Sequence, residues 1–221
     1  MDRIIRVTGK GKISVRPDTI RLNISLEDVK KTYDETLKQS TEQTEELKDC
    51  FETLGFARND LKTLFFNVDT EYESYQDDNR NWKRRFIGYK FTHRFKIDFP
   101  EDNERLGKVL YALAHSSVHP EFTISYTVKD MEACKNQLLG KAVADSKQKA
   151  EILTQAAGVK LGTLATIDYS WGEMEIISRP MNKLMEPCMV MEDSVGAAYD
   201  IDIEPYDIDV TDTVTVVWSL E

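Results

Sequence analysis

Three histidines, three cysteines and local clusters of bases, acids and methionines are the groups that could carry chemistry in this 221-residue chain. His115 and His119 stand at i,i+4, a spacing that can set two metal ligands on one helix face. Ser116 and Ser117 between them are poor helix residues, Pro120 follows at once, and no glutamate adjoins them as in H-E-x-x-H. Surface or capping histidines are therefore expected, and no metal ligand is assigned; His93 stands alone. Cys50, Cys134 and Cys188 form no close pair, which predicts free thiols in a reducing compartment rather than a disulfide frame or a zinc site. Cys50 and Cys134 fit amphipathic helices as small buried residues. Cys188 lies among Glu186, Glu192 and Asp193, whose negative charge raises a thiol's pKa and slows it as a nucleophile. No G-x-S-x-G elbow occurs. Gly9-x-Gly11 lacks a third glycine and a following helix start, so it predicts a bulge or close backbone approach within a strand rather than a phosphate loop. No catalytic residue and no cofactor site is assigned.

Two segments are candidate interface. Trp82-Lys83-Arg84-Arg85 sets three bases beside an aromatic, a combination that grips a nucleic-acid backbone or an acidic partner, or that decorates a solvated hairpin end. Met174, Met181, Met185, Met189 and Met191 cluster with Glu192 and Asp193. Methionine clusters make adaptable apolar surfaces and are readily oxidised. From Leu184 onward there are ten acids and no Lys or Arg, while residues 1–183 hold 29 acids and 29 bases, so the net charge of −10 belongs to one segment. That segment is a poor match for nucleic acid or an anionic membrane, and it complements the basic 82–85 stretch. Asp200, Asp202, Asp207 and Asp209 could hold a divalent cation. They alternate with Ile201, Ile203 and Ile208, however, and a strand with an acidic outer face accounts for them without metal.

The elements that must position these groups follow from periodicity. Residues 3–15 and 19–29 alternate as strands and read as a hairpin closed by Arg16-Pro17-Asp18. Residues 32–54 predict a helix with Tyr33, Leu37, Thr44, Leu47, Phe51 and Leu54 on its apolar stripe. A long hairpin follows, with Leu64, Phe66 and Val68 outbound, residues 76–81 at its tip, and Ile87, Tyr89, Phe91, Phe95 and Ile97 returning. Pro100 opens a short helix carrying Leu106, Val109, Leu110 and Leu113. Residues 122–128 form a strand. Asp130 caps a helix over 131–157 that ends at Gly158, and a strand follows over 161–171. Residues 172–207 show no period and hold three prolines, and a last Val- and Thr-rich strand starts at Val210. The order ββαββαβαββ predicts an α+β fold, with a mostly antiparallel sheet and helices packed on one face. The length suits a single domain over 1–221, with an irregular acidic, Met-rich insert at about 172–207.

Three stretches in order resemble the SIMPL-domain family. They are Val7 to Asp18, with G-x-G followed by a P-D turn; Ala142 to Gly162, an Ala-rich helix leading to G-x-x-x-G; and the terminal Ile208 to Leu220. The family comprises bacterial and animal proteins of largely unknown function, associated with oxidative-stress defence in bacteria and with adaptor-type signalling in animals, and some of its members build ring-shaped homo-oligomers. The resemblance implies the fold and an expectation of assembly, and it carries over no catalytic residue. Two departures stand out: many relatives bear a secretory leader, and the insert before the last strand is longer than the pattern.

The expectation is a non-enzymatic, self-assembling binding or scaffold protein of bacterial type, serving oxidative-stress tolerance. The alternatives are an adaptor that binds a protein partner through the acidic insert, and an enzyme with an acidic divalent-cation site. A homo-oligomer is expected, with no nucleic acid and no cofactor. No apolar run approaches the ~20 residues of a membrane span, and Met1 to Arg6 is charged and alternating rather than an apolar leader. The expected location is the cytoplasm, unless a leader has been trimmed.

Overall fold

The computed structural model of the protein describes residues 3–169, 176–179, 199 and 203–221. Its contacts group into two compact units. One comprises residues 1–18, 126–178 and 205–221; the other comprises residues 19–125 and 179–204. Among the described residues three helices accompany antiparallel sheets, so the chain is α+β.

The first unit is built on β1 (Ile4–Val15), β6 (Leu161–Asp168) and β8 (Ile208–Leu220), in the order β1-β8-β6. Alternation along β1 turns Val7, Gly9, Gly11 and Ile13 to the side covered by α3 (Met131–Ala156). That helix buries Leu138, Ala142, Ser146, Ala150 and Thr154, an i,i+4 row of mostly small side chains. Its N-cap is Asp130, whose carboxylate accepts the Ala133 N–H at 2.8 Å. The small row lets the helix settle onto the glycines. A Cβ on Gly9 would overlap the Ala142 carbonyl oxygen and the Ser146 backbone, and one on Gly11 would overlap the Leu138 carbonyl oxygen. Gly9 and Gly11 are thus a close approach of backbones, as their place within a strand suggests.

The second unit holds α1 (Tyr33–Thr53), α2 (Asn103–Ala114) and a sheet in the order β3 (Lys62–Gln76), β4 (Trp82–Pro100), β2 (Thr19–Lys30), β5 (Glu121–Thr127). Tyr126 and Thr127 of β5 belong to the first unit, where they pair with β7 (Ile177–Ser178). Ile20, Leu22, Ile24 and Leu26 of β2 and Phe91, Phe95, Ile97 and Phe99 of β4 form the buried face. A capping box at Thr32 and Glu35 starts α1.

Several expectations are corrected. β1 and β2 form no hairpin: β1 pairs β8 along its whole length, and β2 pairs β4. Asp18 is fastened elsewhere, its N–H to the Thr127 carbonyl at 3.2 Å and its carboxylate to the Lys129 N–H at 2.8 Å. A Pro-Asp sequence permits a turn but does not require the flanking strands to meet. Pro100 ends β4, and Asp102 caps α2 by accepting the Arg105 N–H at 3.0 Å. The buried face of α1 is Thr36, Ser40, Thr44, Leu47 and Phe51, while Tyr33 and Leu37 are exposed, because the first turns rest on backbone through small side chains. The Thr36 hydroxyl reaches the Tyr89 carbonyl at 3.2 Å. Residues 203–207 are not strand, β8 starts at Ile208, and β6 stops at Asp168. The region read as aperiodic contains β7, and its Ile176 is buried with Ile13, Val128 and Leu138.

Candidate interface site

Trp82, Lys83, Arg84 and Arg85 open β4 just past the turn, where the Asp77 carboxylate accepts the N–H groups of Asn79 and Asn81 at 3.0 and 2.9 Å. Each base is engaged within its own hairpin. Lys83 pairs with Asp77 at 2.9 Å, Arg85 pairs with Glu73 and lies over the Tyr75 ring, and the Arg84 guanidinium stands 4.8 Å from the centre of the Tyr72 ring. Lys83 and the turn amides hold the Asp77 carboxyl below its ordinary range. Trp82 is 73% exposed. Partnered bases retain less attraction for a distant acidic segment than free ones, and Lys83 and Arg85 each already have a counter-charge. Met174, Met181, Met185, Met189, Met191, Glu192, Asp193 and Cys188 lie outside the described residues, as do Asp200 and Asp202. Asp207 is exposed, and Asp209 pairs with Lys12 at 3.7 Å.

The other chemical candidates resolve into structure. His115 is the C-cap of α2 and stacks on Tyr111, whereas His119 lies beyond the helix at a φ of 45°. Cys50 and Cys134 are half-buried rather than buried. Burial raises both thiols, and Asp130 and Asp18 raise Cys134 further. Among the described residues, no group of three or more His, Cys, Asp or Glu side chains could hold a metal ion.

His93 has the most organised surroundings. Its Nδ1 lies 3.2 Å from the Thr44 hydroxyl, its Nε2 lies 3.0 Å from the Thr63 hydroxyl, and its ring packs against Phe66 and Phe95. Thr44 donates to the Ser40 carbonyl at 2.7 Å, so Nδ1 carries the proton toward Thr44 and Nε2 accepts from Thr63. Burial, with the nearby Lys48 charge second, lowers the ring's pKa from 6.5 to about 4. A neutral imidazole bonded on both sides ties α1 to the sheet.

Periodicity misses the apolar surface of the hairpin. Leu64, Phe65, Phe66, Tyr72 and Phe86 are all exposed. The signal lies in three consecutive bulky residues, 64–66, which break the alternation of a half-buried strand.

A family model described as SIMPL, protein of unknown function (DUF541), matches residues 5–218. Two relatives, each named 26 kDa periplasmic immunogenic protein, come from Brucella melitensis and Brucella abortus. They are 30% and 29% identical over 164 residues, which is 74% of this chain. The match spans 65% of each relative's length.

Proposed function

We propose a function from one premise: the chain belongs to the SIMPL family, whose function is unknown. The protein is a non-enzymatic, self-assembling binding or scaffold protein, and its role in oxidative-stress tolerance is taken from the resemblance alone. One observation supports self-assembly: each unit keeps bulky apolar side chains in solvent on the outermost strand of its sheet. In the first unit these are Leu164 and Ile167, paired with Trp218 and Val216 of β8. In the second they are the β3 residues Leu64, Phe65, Phe66 and Tyr72. Monomeric proteins rarely leave such residues contiguous over more than a few hundred Å².

The non-enzymatic reading is supported by His93. A general base works best with a pKa near the operating pH, and this imidazole is far below it with both nitrogens engaged. The relatives' names support the periplasm over the cytoplasm as the location. No helix among the described residues is long and apolar enough to cross a membrane. Light scattering behind a sizing column, at roughly tens of micromolar, where modest interfaces are occupied, tests the reading. A multiple of the chain mass is expected. A monomer would overturn self-assembly and bring forward the adaptor that binds a partner through the acidic insert.

A further inference from the structure

Two of the edge strands, β1 and β3, are finished differently. On β1 three of the backbone groups left over by the β8 ladder are taken up by α3. Asp145 accepts the Lys10 N–H at 2.7 Å, Lys149 reaches the Thr8 carbonyl at 3.4 Å, and Lys141 reaches the Lys12 carbonyl at 3.3 Å. β3 ends its sheet, and among the described residues no side chain bonds its backbone. It runs for 15 residues without a proline. Natural edges are usually short, charged or covered, because an open edge is a template for another strand.

The charges of this edge lie at its start and in its second half, and between them three consecutive side chains are apolar. Leu64, Phe65 and Phe66 are 54%, 47% and 46% exposed. Leu64 sits at a register shift, so Phe65 falls opposite Arg94 and Phe66 opposite His93 on the helix side. Helix α1 packs on β2 and β4. From its Tyr33, edge-to-face ring contacts of 5.5, 5.4 and 5.7 Å run through Tyr89 and Phe86 to Tyr72 on β3. Tyr33, Phe86 and Tyr72 are nevertheless 51%, 44% and 41% exposed. With Phe66 and Trp82, these rings leave roughly 500 Å² in solvent, taking 150–250 Å² per aromatic side chain, while Phe65 lies on the other face of the sheet under Arg94. Leu64 and the backbone of the strand edge extend that surface, and a standard interface takes ~800 Å² from each partner.

We propose that β3 pairs antiparallel with β3 of a second copy across a two-fold axis, joining two sheets into one. The proposal rests on the self-assembly reading and names its surface. Charge selects the direction. Lys62 begins the strand, and Asp69, Glu71 and Glu73 lie in its second half. Antiparallel pairing about residues 66–68 brings each Lys62 toward the other copy's acids, whereas parallel pairing would stack acid on acid. A two-fold contact uses one surface twice, so a single apolar edge suffices.

The test uses the full chain with Cys50, Cys134 and Cys188 replaced by serine. Single cysteines are placed at Asn67, Asp69 or Glu71, and dimer mass is followed with and without mild oxidation. Opposed residues lie about 5 Å apart between Cβ atoms. A disulfide-linked dimer is therefore expected at one or two positions near the axis and not at the others. Phe66→Asp and Leu64→Lys should each weaken the dimer at least tenfold by sedimentation, with circular dichroism unchanged in at least one of them. An oligomer that survives both substitutions and forms no β3 disulfide overturns this interface and leaves self-assembly standing. Loss of mass on reversing Lys83, Arg84 and Arg85 to Glu, without β3 disulfides, moves the contact to the hairpin tip. A monomeric parent protein overturns both readings.

Discussion

Replacing Gly9 with alanine tests the closest contact in the first unit. The new methyl group would meet the Ala142 carbonyl oxygen, the Ser146 nitrogen and the Ser146 Cβ at separations no real contact shows. Two of these atoms are backbone, so no rotamer change relieves the overlap and α3 must lift from β1. Lifting by 0.5–1 Å already forfeits about a quarter to a half of the dispersion energy of each facing atom pair. It acts on a row running from Leu138 to Thr154. It also stretches the 2.7 Å bond between Asp145 and the Lys10 N–H, worth about 1 kcal/mol. With an overpacking cost of about 1–3 kcal/mol, the total is about 3 kcal/mol. Gly140→Ala is the matched control. Gly140 lies within the same helix and has nothing within 4 Å of its missing Cβ, so alanine should stabilise by about 0.5–1 kcal/mol. Urea unfolding followed by circular dichroism reads both. At a slope of about 1–3 kcal/mol/M, the Gly9 variant should lose roughly 1–3 M of midpoint. Ala142→Gly should not rescue it, because the blocking atom is the carbonyl oxygen. A Gly9→Ala midpoint equal to that of the parent, or rescue by Ala142→Gly, would refute the close approach.

Acid should loosen the attachment of α1 through His93. Its folded pKa of about 4 lies below the unfolded 6.5, so the unfolded chain takes the proton first, and stability falls as pH drops from about 6.5 toward 4. The full shift corresponds to about 3 kcal/mol, and partial solvation of the ring reduces this to about 1–2 kcal/mol. His93→Gln should shrink the difference between urea midpoints at neutral and acid pH, and an unchanged difference would assign it to other groups. Thr32→Ala removes the capping box of α1 and should cost about 1 kcal/mol in the same assay, with Thr32→Ser costing less. Cys50 and Cys134, both raised by burial, should alkylate slowly at pH 7 and faster as pH rises, read by peptide mass mapping. Fast labelling of either at pH 7 would contradict its surroundings.

Much of the fold is legible because it is written in local periodicity. The alternation of Ile20, Leu22, Ile24 and Leu26 commits β2 whatever lies beside it, and all four side chains are buried. Asp130 announces α3 because a carboxylate before a helical run satisfies free N–H groups using only its own neighbours. The Gly9-Lys10-Gly11 pattern indicates that some backbone comes close, since glycine is costly in a strand otherwise. The hairpin is also legible, its turn closed by an Asp77 side chain acting within four residues.

Only tertiary structure decides which pieces meet. β1 could have paired with β2, which begins four residues after β1 ends. It pairs instead with β8 at the far end of the chain, where Val7 meets Val216 and Gly9 meets Val214 under one helix. Register and partner depend on which apolar rows can share a covering layer, and no window of sequence contains both. The same limit hid the candidate surface. Phe66 and Tyr72 have the sequence appearance of buried strand residues, and their exposure follows from where α1 comes to rest, over β2 and β4. Burial belongs to the neighbour as much as to the residue. Composition alone could count the aromatics of this hairpin, but only the placement of a helix two strands away determines that they face solvent.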